Sequence, residues 1–113
     1  MNIKNATEAL SALAHETRLT VFQLVLKEGS NGLRAGEIAK RMQIQPSTLS
    51  AHLNSLRRAD LLHARREQQQ IFYSANVNGI KALLVYLVQD CCNGDPNICS
   101  IFNVIGGEKL DHS

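Results

Sequence analysis

A chain of 113 residues with 44% hydrophobic residues fits one globular domain with a real core, and it leaves no room for a second. No run approaches the roughly 18 consecutive apolar residues of a membrane span, and the first seven residues lack the apolar core of a secretory signal, so the expected setting is a reducing cytoplasm with no membrane partner. The net charge of +2 hides an uneven distribution: residues 34–66 carry Arg34, Lys40, Arg41, Arg57, Arg58, Arg65 and Arg66 against only Glu37 and Asp60, the local excess expected where phosphates are to be neutralised.

Read in chain order, the sequence is mostly helical. Asn5-Ala6-Thr7-Glu8 reads as a capping box, and Leu10, Leu13 and Ala14 give a first short helix its apolar side. A second helix is predicted over residues 17–27, burying Leu19, Val21, Phe22, Val25 and Leu26, with Gly29-Ser30-Asn31-Gly32 as its stop. A third over residues 35–42 sets Ile38, Ala39 and Met42 at helical spacing, and Gln43-Ile44-Gln45 makes a tight connection. Pro46 suits the first turn of the next helix, where its missing N–H has no partner to lose; this helix is expected to run to about residue 60 with Leu49, Leu53 and Leu56 inward.

The opposite face of that helix carries Ser47, Thr48, Ser50, Ala51, Asn54, Arg57 and Arg58, with Gln45 just before it. Hydroxyls and a methyl near the N-terminus followed by arginines suit a helix in a major groove, the small groups at base edges and the cations at phosphates. Two short helices joined by a three-residue turn with this surface make a helix-turn-helix. Residues 62–66 and 70–75 then alternate at the strand period around Glu67-Gln68-Gln69, forming a two-stranded hairpin with Arg65 and Arg66 near its tip. A wing beside a recognition helix reaches the backbone or minor groove, which accounts for arginines there. The expected fold class is mainly α, an α+β winged helix-turn-helix.

In the last helix Ile80, Leu83, Leu84, Leu87 and Val88 follow an i, i+3, i+4, i+7, i+8 stripe, and Cys91 is its next member. All three cysteines, Cys91, Cys92 and Cys99, lie within nine residues, and Gly94 and Pro96 turn the chain between them. Adjacent Cα atoms about 3.8 Å apart fall below the usual disulfide span of about 4.4 to 6.8 Å, so a Cys91–Cys92 bridge is strained. Three soft thiolates gathered by one turn suit a thiophilic ion: As(III) or Sb(III) takes three, whereas zinc wants a fourth ligand such as His112 or a residue from a second subunit. A catalytic thiol is disfavoured by the helix C-terminus and by Asp90 and Asp95 beside it, so no enzyme is expected. A redox or persulfide sensor, in which Cys99 bridges to Cys91 or Cys92, is the alternative chemistry, and a winged helix that makes only protein contacts is the alternative binding class.

Taken together in order, these pieces resemble the ArsR family of winged-helix metalloregulators over residues 8–92. The resemblance rests on Ala12-Leu13-Ala14-His15-Glu16-Thr17-Arg18-Leu19, on Gly36-Glu37-Ile38-Ala39, on Gln45-Pro46-Ser47-Thr48-Leu49-Ser50-Ala51-His52-Leu53 with Leu56-Arg57, and on Arg65-Arg66-Glu67 with Phe72-Tyr73-Ser74. Glu16 replaces a common proline and Gln68 occupies the usual wing glycine. The resemblance implies a homodimeric repressor that reads a pseudo-palindromic double-stranded operator and leaves it when an ion or thiol-reactive signal binds. Its Cys-containing third-helix site finds no cysteine in residues 33–37, and its zinc site between paired last helices finds no histidine and one carboxylate in residues 78–90. What remains, Cys91, Cys92 and Cys99, resembles the arsenic-responsive branch with thiols after the last helix. The expected organisation is a DNA-binding and dimerisation domain over residues 1–99 with a tail over 100–113, an As(III) or Sb(III) inducer (with cadmium, lead or zinc as alternatives), no organic cofactor, and a dimer interface of Leu10, Leu13, Ile80, Leu83, Leu84, Leu87 and Val88.

Overall fold

The computed structural model describes residues 1–89. The cysteine cluster and the tail over residues 100–113 lie outside the described residues.

Helix α1 (Ile3–Leu13) begins earlier than the Asn5 capping box predicts, because Asn2 takes the cap: its backbone is extended and its side-chain oxygen accepts the Asn5 N–H at 2.8 Å. Thr7 is inside the helix, its hydroxyl donating to the Ile3 carbonyl at 2.7 Å. The buried face is Ala6, Ala9 and Ala12; of the expected Leu10, Leu13 and Ala14, Leu13 packs half-buried against the core and the other two are exposed. Small side chains let the helix axis come close to its neighbours, and that rotation leaves Leu10 43% exposed.

Helix α2 (Glu16–Glu28) buries Val21, Phe22 and Val25 as expected. Leu19 and Leu26, expected in the core, are exposed, because seven residues apart they share a flank about 100° from the centre of the buried stripe. A 3-10 turn (Gly29–Asn31) leads into β1 (Leu33–Arg34), which the sequence did not predict. At Gly32 the chain takes φ 79°, and a Cβ there would sit 2.8 Å from the Tyr73 carbonyl oxygen, so only glycine allows the strand to close on its neighbour.

Helices α3 (Ala35–Met42) and α4 (Pro46–Arg58) end on the same device. In α3, Ile44 N–H donates to the Ala39 carbonyl and Gln43 N–H to that of Lys40, with Gln43 left-handed at φ 57°. In α4, Leu61 N–H donates to Leu56 and Asp60 N–H to Arg57, with Asp60 at φ 65°. These are Schellman closures with non-glycine residues in the left-handed position, and the second ends α4 two residues short of the expected 60.

The wing is a three-stranded antiparallel sheet in the order β1-β3-β2, rather than two-stranded. Strand β2 (Leu62–Glu67) pairs with β3 (Gln70–Ala75) from Leu62↔Ala75 to Glu67↔Gln70, and β1 adds Leu33↔Tyr73 and Arg34↔Phe72 on the other side. Gln68, at the position where a glycine is usual, takes φ 61° to turn the tip. Helix α5 (Val77–Val88) follows, capped by Asn76.

The core gathers Val21, Val25, Ile38, Leu49, Leu53, Leu56, Leu61 and Leu83. Leu83 was expected at a dimer interface; at 2% exposure it belongs to the core of its own subunit, because α5 turns this part of its stripe inward. Ile80 and Leu13 pack half-buried against the same core, and Val88 is half-buried.

Candidate nucleic-acid interface

The face of α4 opposite Leu49, Leu53 and Leu56 is open: Ser47, Thr48, Ser50, Ala51, Asn54, Arg57 and Arg58 are all exposed, as is Gln45. Three inward leucines at i, i+4 and i+7 fix the rotation of the helix, and that rotation presents this face. Pro46 occupies the first turn and no side chain caps it, so the first-turn amides of α4 and the positive end of its dipole are available to an anion. Arg58 stands apart from the rest of the face, lining a groove of about 870 Å³ with Lys4, Glu8 and Arg18.

The two wing arginines have different surroundings. Arg65, although exposed, is bonded within the molecule: Nε donates to Glu67 at 3.1 Å, Nη2 to the Asn31 carbonyl at 3.1 Å and Nη1 to the Ser30 carbonyl at 3.4 Å, with the guanidinium 5.1 Å from the centre of the Phe72 ring. It ties the wing to the turn before β1. Arg66, directly across from Ile71, makes one long bond from Nε to the Gln68 carbonyl at 3.4 Å and leaves its terminal nitrogens for a ligand.

Two cations without an assigned role in the sequence reading enter here. Arg34 and Lys40 line a groove of about 520 Å³ between α3 and the wing, with Gln69, Gln70 and Tyr73. Their signal was the basic middle third, but only β1, too short to show a strand period, places Arg34 beside the wing. Arg41 is taken up by Glu37 at 3.0 Å and Glu28 at 3.8 Å. Among the described residues no group of three or more His, Cys, Asp or Glu side chains is placed to hold a metal, and Cys91, Cys92 and Cys99 lie outside them.

Comparison with known proteins places this surface in context. A family model described as a helix-turn-helix domain matches residues 13–65. The transcriptional activator HlyU of Vibrio cholerae is 34% identical over 94 residues, covering 83% of this chain and 84% of HlyU; its structure superposes with a TM-score of 0.63 over 82% of this chain and all of that one. A biofilm growth-associated repressor of Agrobacterium fabrum is 34% identical over 84% of this chain and 81% of its own. A solved structure described as a possible transcriptional regulator for arsenical resistance is 26% identical, with a TM-score of 0.62 over 71% of this chain and 79% of that one. A helix-turn-helix with an exposed polar recognition face and a β-wing at its side defines a winged-helix regulator of transcription. Within that class, the chain belongs to the ArsR family.

Proposed function

We propose that this protein is a homodimeric repressor that binds a pseudo-palindromic operator and is released when As(III) or Sb(III) is bound by Cys91, Cys92 and Cys99. The observation that carries the DNA-binding part is the open face of α4, with Ser47, Thr48, Ser50, Ala51 and Asn54 at base edges and Gln45 and Arg57 toward phosphates. Arg66 extends that surface onto the wing, and Arg65 supports it by holding the wing against residues 30 and 31. Two such faces related by a twofold axis read successive major grooves.

The inducer reading is supported by chemistry and position. Three thiolates fit a trigonal metalloid that keeps its lone pair, and in the sequence Cys91 comes three residues after Val88, where α5 ends. An ion that reorders the end of this helix alters the relation between the two subunits and hence the spacing of the two recognition helices. A coupling of about 1 to 3 kcal/mol is typical, and linkage requires DNA to weaken ion binding by the same factor. A persulfide or disulfide among the same thiols is the second reading, favoured by the six residues that let Cys99 return to either neighbour.

The test is fluorescence anisotropy of the reduced protein on a labelled fragment from upstream of its own gene, with arsenite, antimonite, zinc, cadmium and an oxidised-sulfur donor added separately. Release by As(III) or Sb(III), lost in Cys99→Ser, is the expected result. Release by the sulfur donor alone replaces the metalloid with a redox signal, and a saturating metalloid that leaves affinity unchanged removes the inducer assignment.

A further inference from the structure

Two histidines meet where the recognition helix packs against the head of α2. His15 caps α2: its backbone is extended, and Nδ1 accepts the Thr17 N–H at 3.2 Å. His52, on α4 beside the buried Leu53, brings its ring to 4.7 Å from that of His15, centroid to centroid, at a tilt of 52°. Its Nδ1 is sealed from solvent and has no hydrogen-bond partner. Arg18, in the first turn of α2, donates from Nε to the Ala12 carbonyl at 2.7 Å, so its guanidinium is fixed at the α1–α2 corner.

On α2 itself Glu16 follows His15 and is exposed to solvent. Among the described residues no carboxylate lies within ion-pairing distance of either imidazole. From α1, Glu8 and Lys4 line the adjoining groove with Arg18, Ser55 and Arg58. From α3, Glu37 and Arg41 pair with each other, and Lys40 is exposed. From β2, Arg65 is paired with Glu67, and His63 and Arg66 are exposed. Burial first, then the charges of His15 and Arg18, hold His52 below the ordinary imidazole value.

The geometry points to a proton-operated latch: with His52 neutral, α4 seats against the capped end of α2, and a proton on the imidazole sets a charged, unpartnered N–H beside Arg18 and loosens the recognition helix, so that operator binding weakens as the pH falls through the histidine range. The latch rests on α4 being the DNA-reading helix. The chemistry of the imidazole drives it. A neutral ring tolerates a bare Nδ1 lone pair, whereas a doubly protonated ring must place an N–H on each nitrogen, and here one of them meets no acceptor. The sign follows from the lowered affinity for the proton: the unfolded chain takes it up more readily, so stability is complete above about pH 6.5 and declines as the pH falls below that value. A metal bridging the two rings is the other use of paired histidines, but the fixed Arg18 charge beside them opposes a cation.

The experiment compares the whole protein with His52→Phe, which keeps an aromatic body and removes the titrating nitrogen. Thermal melting and operator anisotropy are followed from about pH 7.5 to about pH 5.5, either side of the histidine range. The wild type is expected to lose affinity by up to about tenfold per pH unit for the proton excluded, with its Tm falling in step, and both slopes flatten in the variant. An NMR titration of the His52 imidazole, with an expected midpoint below the ordinary value, decides the matter should the variant fold poorly. Equal slopes in the two proteins, or an ordinary midpoint for His52, overturns the latch. Failure to bind DNA at any pH removes the repressor reading and the latch's effect on DNA with it, and the melts and the titration still decide whether protonation of His52 loosens the fold.

Discussion

Asn76 joins two polar chain ends that would otherwise face the core unpaired. Its backbone N–H donates to the Leu61 carbonyl at 2.9 Å, its side-chain nitrogen to the Asp60 carbonyl at 2.9 Å, and its side-chain oxygen accepts the Gly79 N–H at 3.1 Å. One buried residue therefore caps α5 and seals the left-handed end of α4, so the recognition helix and the last helix are fixed to each other through it. Gly79 completes the corner, since a methyl there would run into the Asp60 carbonyl oxygen and the Asn76 side chain. Gly79→Ala is expected to destabilise the fold by about 2 kcal/mol through overpacking. Asn76→Ala is expected to cost a similar amount, about 2 kcal/mol, from the lost cap and an orphaned Asp60 carbonyl. Urea denaturation of both variants checks this; a loss under half of that in each would mean that the corner relaxes freely and does not couple the helices.

At the scale of elements, the wing separates two neighbouring arginines into one bonded within the molecule and one with its terminal nitrogens open to a ligand. Arg66→Ala is expected to weaken binding to all DNA sequences alike and to lower the slope of log affinity against log salt by about 1, the signature of one lost phosphate contact. Arg65→Ala should act differently, because its guanidinium is bonded to Glu67 and to the carbonyls of residues 30 and 31. Its first effect is expected in the turn before β1, read as faster amide exchange in residues 29–34, with affinity falling only as the wing loosens. Equal salt slopes for the two variants would show that both arginines face the phosphates. How legible these elements were depends on how local their causes are. Helices α3 and α4 stood out because Ile38, Ala39, Leu49, Leu53 and Leu56 carry a strong period over one stretch of chain. The buried side of α1 is alanine, whose small hydrophobic signal was outweighed by Leu10 and Leu13. Strand β1 spans two residues, too few for a period, and the partners of Arg65 lie 34 and 35 residues away, where no spacing rule reaches. The polar face of α4 was legible for the same reason as its core face, being its complement, whereas the place of Arg34 and Lys40 depended on how the sheet folds back onto α3.

At the scale of the molecule, one chain leaves a row of large apolar side chains uncovered on its first and last helices, which pack against each other. Ile3 and Leu10 on α1 and Val77, Leu84 and Leu87 on α5 are all exposed, Leu87 at 51%. With Leu83 already in the subunit core, the interface expected from the sequence narrows to Leu10, Leu84 and Leu87, flanked by the half-buried Leu13, Ile80 and Val88. Covering a fully exposed leucine contributes about 1.5 to 3 kcal/mol, so each of these half-exposed leucines would add roughly half of that if a second copy covered it. Replacing the most exposed of these leucines by a carboxylate removes that contribution and sets two like charges near the twofold axis. Leu87→Glu is therefore expected to weaken dimerisation by at least about tenfold and operator binding with it, because in the proposed dimer each recognition helix would read only half of the operator. Sedimentation velocity against protein concentration, alongside anisotropy on full and half operators, measures both. A Leu87→Glu protein that remains dimeric and keeps its preference for the full operator would place the contact between copies elsewhere, and the proposed coupling between the thiols and the second subunit would lose its physical basis.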